Sequence, residues 1–144
     1  MAHHLAALDS YQMRGVATIR RMADQTFQTT FEVLEARGWV QSIYAIVFDG
    51  NIERVGSSKG PLGARCKQTD RYLNRKMREP TWNGLNEREW SLWQDFFRQH
   101  GTAAVYATIG PTVTNRFGTY NDYLAVENLL LGRYKPRLNN SYFR

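Results

Sequence analysis

The sequence predicts an α+β fold with a small three-stranded antiparallel sheet flanked by helices and an N-terminal helical extension. Three observations predict it: apolar residues at helical spacing in several segments, three β-prone runs, and a tight-turn sequence between the first two runs. The chain has 144 residues, which suits one compact domain. We assign residues 1–39 to the extension and residues 40–144 to the domain that carries the sheet.

The extension is expected to be one long helix over residues 9–37. Apolar side chains recur there at intervals of three or four residues and form one stripe: Ile19, Ala23, Phe27, Phe31 and Leu34. Gly38 then follows at the place where a helix commonly ends. We expect the stripe to pack against the core.

The sheet is predicted from three segments rich in β-branched and aromatic residues. Residues 40–48 and 52–56 read as two strands, because Asp49-Gly50-Asn51 between them is a strong hairpin sequence. Residues 103–109 read as the third strand. Residues 57–63, rich in Ser, Gly and Pro, and residues 110–118 are expected to be loops.

Three further helices are expected around this sheet. The first covers residues 62–77, with Arg65, Thr69, Tyr72 and Lys76 along one face. The second begins at Asn86, which has Glu89 three residues later in the spacing of a capping box, and ends at Gly101. The last runs from residue 119 or 120 to residue 134 and is stopped by Pro136.

The charge of the chain is concentrated in one segment. Residues 59–78 contain seven basic residues and one acidic residue, which equals the net charge of +6 of the whole chain. A local basic patch favours a polyanionic partner such as nucleic acid, although a solvated helix face has the same composition. The single cysteine, Cys66, excludes an internal disulfide framework and is typical of a cytoplasmic protein.

The order of several short motifs resembles the GIY-YIG nuclease family. Ser42-Ile43-Tyr44 and Arg54-Val55-Gly56 lie where that family has its two tripeptides, and Arg65-Cys66-Lys67-Gln68 resembles the run that begins with its catalytic arginine. Downstream, Glu127 and the segment Pro136-Arg137-Leu138-Asn139 resemble its metal-binding glutamate and its terminal Pro-x-x-Asn. The resemblance covers roughly residues 41–78 and 123–140.

The resemblance implies an endonuclease that hydrolyses phosphodiester bonds of DNA, of the restriction or phage type. Its catalytic residues would be Tyr44, Arg54, Arg65 and Glu127. Glu127 would bind the metal ion, Mg²⁺ or Mn²⁺, since a hard carboxylate oxygen suits these ions. The sequence departs from the family at Arg54, where a second tyrosine is usual, at Ser42 in place of glycine, and at Thr69, where histidine or tyrosine is common.

The chemistry of these residues supports the same assignment. Tyr44 can accept the proton of an attacking water when cations stabilise its phenolate. Arg54 could provide that cation or bind a phosphate, and Arg65 offers a planar fork to phosphoryl oxygens. In the alternative interpretation Tyr44 is a packed strand aromatic, the arginines are surface charges, and Glu127 forms a salt bridge with Arg65.

The remaining candidate residues support the site or bind the substrate. Gly56 and Asn139 are expected to shape the site, Asn139 by bonding to backbone. We expect six side chains to bind nucleic acid: Lys59, Lys67, Arg71, Arg75, Lys76 and Arg78. Ser58, Thr69 and Tyr72 are further candidates for the site.

Two other functions fit the same sequence. One is a non-catalytic nucleic-acid-binding module on a nuclease scaffold, and the other is a toxin nuclease. The expected substrate is DNA, with a duplex favoured, and no apolar run is long enough for a membrane span. Cutting both strands with one small site favours a homodimer or tetramer.

Overall fold

The computed structural model describes the backbone of residues 5–142 and the side chains of residues 8–139. Within that range there are seven strands and three α-helices. The strands are β1 Arg14–Arg21, β2 Phe27–Phe31, β3 Ser42–Phe48, β4 Asn51–Ser58, β5 Thr102–Ile109, β6 Thr112–Asn115 and β7 Gly118–Asn121. The helices are α1 Leu62–Arg78, α2 Glu87–His100 and α3 Tyr123–Tyr134, with 3-10 helices at Leu5–Tyr11, Leu34–Gly38 and Arg137–Tyr142.

The strands form a five-stranded sheet and a separate two-stranded hairpin. The order in the larger sheet is β2-β1-β5-β3-β4, with every neighbouring pair antiparallel. The α+β class is confirmed, and the three predicted strands are β3, β4 and β5, which lie side by side. The prediction of a sheet with three strands is wrong, because β1 and β2 extend it beyond β5.

The predicted N-terminal helix does not exist, since residues 14–31 form the β1–β2 hairpin. In β1 the buried Val16 and Ile19 flank the more exposed Thr18, and several residues of the segment are β-branched, which favours a strand. Gln25 has a φ of 71° in the turn, which no helix tolerates. Of the supposed apolar stripe, Leu34 is 64% exposed, and Gly38 ends a 3-10 helix rather than a long α-helix.

Several local predictions are confirmed in detail. Asp49 and Gly50 both have positive φ, at 49° and 79°, as the two central residues of a type I′ turn require. The Asn86 side chain caps α2 by accepting a hydrogen bond of 2.8 Å from the backbone N–H of Glu89, and Gly101 with a φ of 76° follows the helix. The loop expected at residues 110–118 contains β6 and the start of β7, so that prediction is wrong in part.

Helices cover the two faces of the sheet unequally. On one face α1 and α2 cover an aromatic core. In this core the Phe97 ring contacts the rings of Phe27, Phe48 and Trp93. On the other face α3 and the first 3-10 helix pack against β3 and β4. The strands β3 and β4 are therefore sandwiched between helices, and this sandwiched part of the sheet carries the candidate site.

An asparagine side chain closes each outer edge of the five-stranded sheet. Asn74 of α1 accepts from the N–H of Phe27 in β2 at 2.6 Å and donates to its carbonyl at 3.0 Å. Asn139 makes the same pair of bonds with Val55 in β4, at 2.8 and 3.0 Å. Each amide thus replaces the backbone of a missing neighbouring strand, which fixes the edge and blocks further strand addition.

Across the part of the chain that the structure describes, no helix has the length and apolar character needed to cross a membrane.

Candidate active site

The candidate residues meet at the free edge of β4, where both faces of the sheet become accessible. Tyr44 and Gly56 are directly opposite in the β3–β4 register and face the side covered by α1. Ser57, the next residue, faces α3 on the other side because side chains alternate along a strand. Arg65 on α1 and Glu127 on α3 therefore approach the same stretch of β4 from opposite faces.

An open cleft of about 410 Å³ lies where they meet. Its lining includes Arg54, Gly56, Arg65, Glu127 and Asn139, which are five of the six residues predicted to form or support the site. A second hollow, of about 520 Å³, lies between β2 and the start of α1, but no carboxylate lines it. The cleft at β4 combines the cations Arg54 and Arg65 with the carboxylate of Glu127.

Tyr44, the sixth residue, lies behind the cleft and not in its lining. Its ring is 3% exposed and packs directly over Gly56. Any Cβ at position 56 would overlap the Tyr44 hydroxyl, so glycine is required there to let the phenol approach the strand edge. The hydroxyl accepts a hydrogen bond of 3.3 Å from Nε of Arg65.

Arg65 is held in place from two sides. Besides its bond to Tyr44, it donates through Nη1 to Gln68 Oε1 at 2.8 Å. Gln68 in turn donates to the hydroxyl of Tyr72 at 3.1 Å. This network orients the guanidinium at the cleft, and it gives Gln68 and Tyr72 positioning roles.

Arg54 lies on the same face of β4 as Gly56 and forms an ion pair with Glu89 of α2, with Nη1 and Oε1 at 2.9 Å. Both side chains are about four-fifths buried, at 22% and 18% exposure. The indole N–H of Trp93 donates to the same Glu89 oxygen at 3.4 Å. The position of Arg54 is therefore set by α2, and its guanidinium still lines the cleft.

Glu127 is oriented by a residue that the sequence did not single out. The hydroxyl of Ser57 donates to Oε1 of Glu127 at 2.9 Å across the β4–α3 contact. Among the described residues, no group of three or more His, Cys, Asp or Glu side chains could hold a metal ion. Any ion in this cleft would have Glu127 as its carboxylate ligand and would depend on water and substrate oxygens for the rest.

The C-terminal segment is fixed to β4 at two points. Asn139 bonds to Val55, as predicted for a residue that supports the site through the backbone. Arg137 forms a bidentate ion pair with the buried carboxylate of Glu53. The hydrogen bonds to this carboxylate raise the pKa of Arg137. The Arg137 guanidinium also lies 4.8 Å from the ring centre of Phe96. Neither member of this pair was predicted from the sequence, although the motif around Asn139 contains Arg137.

Five of the six residues predicted to bind nucleic acid are exposed on or near α1. These are Lys59, Lys67, Arg71, Arg75 and Arg78. Arg75 is already paired with Glu79 at 2.7 Å and stacked on Trp82, with 4.5 Å from its guanidinium carbon to the ring centre. Lys67 and Arg71 are exposed on a different face of α1 from Arg65, and Lys67 lines the second hollow and not the cleft.

The assignment of Lys76 to nucleic-acid binding is wrong. Its ammonium is 1% exposed and donates to the carbonyls of Pro80 and Trp82 and to the carboxylate of Glu87, at 2.6 to 2.8 Å. The residue therefore ties the end of α1 to the loop before α2. The helical spacing placed Lys76 on the Arg65 face but could not show that the following loop folds over it.

The remaining candidates have local structural partners. Ser58 is buried and donates to the carbonyl of Gly60, and Thr69 donates back to the carbonyl of Arg65 at 3.3 Å. Burial raises the pKa of the neighbouring Cys66 thiol to about 12. The thiol is therefore protonated at neutral pH and is a poor nucleophile.

No model of a known protein family matches the sequence, and no curated protein matches it. The fold is similar to that of bacteriophage T4 EndoII, with a TM-score of 0.66 and 14% identity over 94% of this chain and 98% of that chain. It is also similar to the restriction endonuclease HPY188I, determined in complex with product DNA, with a TM-score of 0.58 and 16% identity over 92% of this chain and 80% of that chain. At these identities the comparison establishes a shared fold.

Proposed function

We propose that this protein is an endonuclease of the GIY-YIG type that hydrolyses phosphodiester bonds of DNA with one divalent metal ion, Mg²⁺ or Mn²⁺, bound by Glu127. The observation that carries the proposal is the cleft at the β4 edge, which gathers Arg54 of β4, Arg65 of α1 and Glu127 of α3. The shared fold with a restriction endonuclease whose structure is in complex with product DNA supports it.

The donor set of the cleft fits such an ion. Mg²⁺ commonly binds to proteins through one or two carboxylates and keeps several waters, so the single carboxylate of Glu127 is sufficient when phosphate oxygens complete the shell. Ser57 restricts that carboxylate to one orientation through its 2.9 Å bond. When bound, the ion would polarise a phosphoryl oxygen and neutralise charge that develops on the leaving oxygen.

The protein residues would supply the remaining chemistry. Arg65, oriented by Tyr44 and Gln68, would bind the phosphoryl oxygens and stabilise the charge that develops on them. Tyr44 would take the proton of the attacking water as the new P–O bond forms and the bond to the leaving oxygen breaks. Arg54, held by Glu89, would keep a positive charge beside the same phosphate.

The surface beside the cleft favours duplex DNA as the substrate. The exposed Lys59, Lys67 and Arg71 add positive charge to α1 and the loop before it, which favours binding of a phosphate backbone. We further propose a cytoplasmic restriction or phage nuclease that acts as a homodimer or tetramer, since each chain has a single cleft for cutting one strand. Light scattering with and without DNA measures the oligomeric state.

The decisive experiment compares wild-type protein with Glu127→Ala on supercoiled plasmid. We expect cleavage by the wild-type protein only with Mg²⁺ or Mn²⁺, and loss of cleavage with retained DNA binding in the variant. Glu35→Ala is the matched control, because Glu35 is an exposed carboxylate that pairs with Arg14 and does not line the cleft. Cleavage by Glu127→Ala at the wild-type rate would show that the metal assignment is wrong.

A wild-type protein that binds duplex DNA but never cuts it would instead support the non-catalytic binding module. A panel of duplex DNA, single-stranded DNA and RNA, each tested with Mg²⁺ and Mn²⁺, separates this outcome from a wrong choice of substrate.

A further inference from the structure

The β6–β7 hairpin is the most exposed regular element outside the candidate site. Every residue from 114 to 120 is exposed, and Phe117 in its two-residue turn is 82% exposed. The guanidinium of Arg116 lies 4.7 Å from the centre of the Phe117 ring. An aromatic ring with a cation stacked on it, at the end of a projecting hairpin, contributes little to the core and is placed to contact a partner.

The base of this hairpin is hydrogen-bonded to residues at the start of β3, the end of β4 and the start of α3. The N–H of Gly110 donates to the carbonyl of Gln41 at 2.8 Å, and the N–H of Gln41 donates to the carbonyl of Lys59 at 3.1 Å. On the other side, Asn121 bonds to both Gly110 and Tyr123, the first residue of α3. Since α3 carries Glu127 one turn later, a DNA bound in the cleft would pass beside the hairpin.

Side chains within the hairpin also fix its conformation before it binds a partner. The hydroxyls of Thr114 and Thr119 are 2.9 Å apart across the two strands. The side chain of Asn115 accepts from the N–H of Phe117 at 2.8 Å and fixes the turn. A rigid turn loses little conformational freedom when it binds, which favours affinity.

The composition and size of the hairpin match a groove of duplex DNA. Residues 110–121 contain no acidic residue, one arginine and several Thr and Asn side chains that both donate and accept hydrogen bonds. The major groove is about 12 Å wide and about 8.5 Å deep and admits a two-stranded β-ribbon. Strands of this length extend about 13 Å, at about 3.3 Å per residue, so the turn can reach the base edges.

We propose that the β6–β7 hairpin is a DNA-reading arm that enters the major groove beside the cleft, with Arg116 and Phe117 contacting base edges. This inference rests on the proposed function, because it takes DNA in the cleft as the partner. An arginine fork pairs with the two acceptors of guanine, and a phenyl ring packs against the methyl group of thymine. The arm would therefore give the enzyme a sequence preference that the backbone-binding cations of α1 cannot provide.

The test measures binding and sequence preference separately. Affinity for a 30-base-pair duplex of plasmid sequence is measured by fluorescence anisotropy in Ca²⁺, for wild type, Phe117→Ala and Arg116→Ala. We expect each variant to bind about tenfold more weakly, since a good base contact contributes about 1–3 kcal/mol and 1.4 kcal/mol is tenfold. Cleavage ends in mixed-sequence DNA are then sequenced in Mg²⁺, and we expect the wild-type base preferences to flatten in both variants.

Met22→Ala is the control, because Met22 is an exposed apolar residue in the β1–β2 turn, at the opposite end of β5 from the hairpin. Circular dichroism checks that all variants are folded. If Phe117→Ala and Arg116→Ala bind as tightly as wild type and cut at the same sequences, the hairpin does not read DNA. If they lose self-association in sedimentation while duplex affinity per chain is unchanged, the hairpin contacts a second copy and the proposal is wrong.

Failure of the proposed function gives a different pattern. If the wild-type protein binds the duplex but never cuts it, and Phe117→Ala lowers the affinity for the duplex, the nuclease assignment is wrong and the DNA-reading arm is still supported. A wild-type protein that cuts single-stranded nucleic acid and does not bind the duplex would overturn the arm alone.

Discussion

Replacing Asn139 by alanine removes the two hydrogen bonds that fix the outer edge of β4. These bonds, of 2.8 and 3.0 Å, satisfy the N–H and the carbonyl of Val55, and Asn139 is 4% exposed. A buried backbone group left without a partner costs about 1–3 kcal/mol. We therefore expect Asn139→Ala to lower the free energy of unfolding by about 2–4 kcal/mol, which corresponds to a fall in Tm of roughly 6–12 °C for a chain of this size.

The same substitution should also reduce cleavage among molecules that remain folded. Val55 is followed directly by Gly56 and Ser57, which contact Tyr44 and Glu127, so a mobile edge displaces both sides of the cleft. A misplacement of about 1 Å can lower a rate by about 10²-fold.

The fold provides a matched control for this experiment. Asn74 makes the same pair of bonds with Phe27 on the opposite edge, so Asn74→Ala should also lower the Tm but leave the cleavage rate per folded molecule unchanged. Thermal unfolding by circular dichroism gives the Tm, and plasmid cleavage is measured well below it. If Asn139→Ala loses stability and still cuts at the wild-type rate, or if Asn74→Ala loses cleavage equally, the edge of β4 has no special role.

Four further predictions follow from the site and its surroundings. Tyr44→Phe keeps the ring over the strand and should lower the cleavage rate by about 10²–10⁴-fold, the usual contribution of a general base, with an unchanged Tm. Arg54→Tyr should lose both activity and stability, because it removes the cationic partner of the mostly buried Glu89 carboxylate, whereas Arg54→Lys should keep part of both. Lys67→Ala combined with Arg71→Ala should reduce the slope of log affinity against log salt concentration by about two units, and an unchanged slope would place the DNA elsewhere. Burial raises the pKa of Asp70, so its contribution to stability is present below about pH 4 and is lost as the pH rises through the raised value. Urea unfolding should therefore show the stability of wild type falling relative to that of Asp70→Asn as the pH rises above about 4.

Local sequence rules predicted the elements whose causes are local. The Asp49-Gly50 turn, the Asn86 cap and the stop at Gly101 each depend on a few neighbouring residues, and the structure has all three. The candidate roles of Arg65 and Glu127 could be predicted as well, because the motifs that contain them occur in the same order as in the nuclease family that the sequence resembles. Both line one cleft in the structure, although their catalytic roles stay predictions.

The errors came from interactions between distant parts of the chain. Residues 14–31 have apolar positions that satisfy helical spacing, yet β1 gains hydrogen bonds from β2 and β5 that no local pattern reveals. Lys76 was assigned to DNA because its helix face is basic, and only the loop around Pro80 and Trp82 buries it. In both cases tertiary contacts outweighed a weak local preference.

The departure at Arg54 has a physical explanation in the same long-range contacts. A tyrosine, the usual residue here in the nuclease family that the sequence resembles, would meet the carboxylate of Glu89, in a place where both partners of the ion pair are mostly buried. A mostly buried carboxylate is stabilised most by a cationic partner, so Glu89 on α2 favours a cation at position 54 of β4. Arg54 is thus joined to α2 in the same way that Asn139 joins the C-terminal segment to β4 and Ser57 joins β4 to α3. The edge strand β4 is held from three sides, so its outer edge can remain without a neighbouring strand while both of its faces contribute to one cleft.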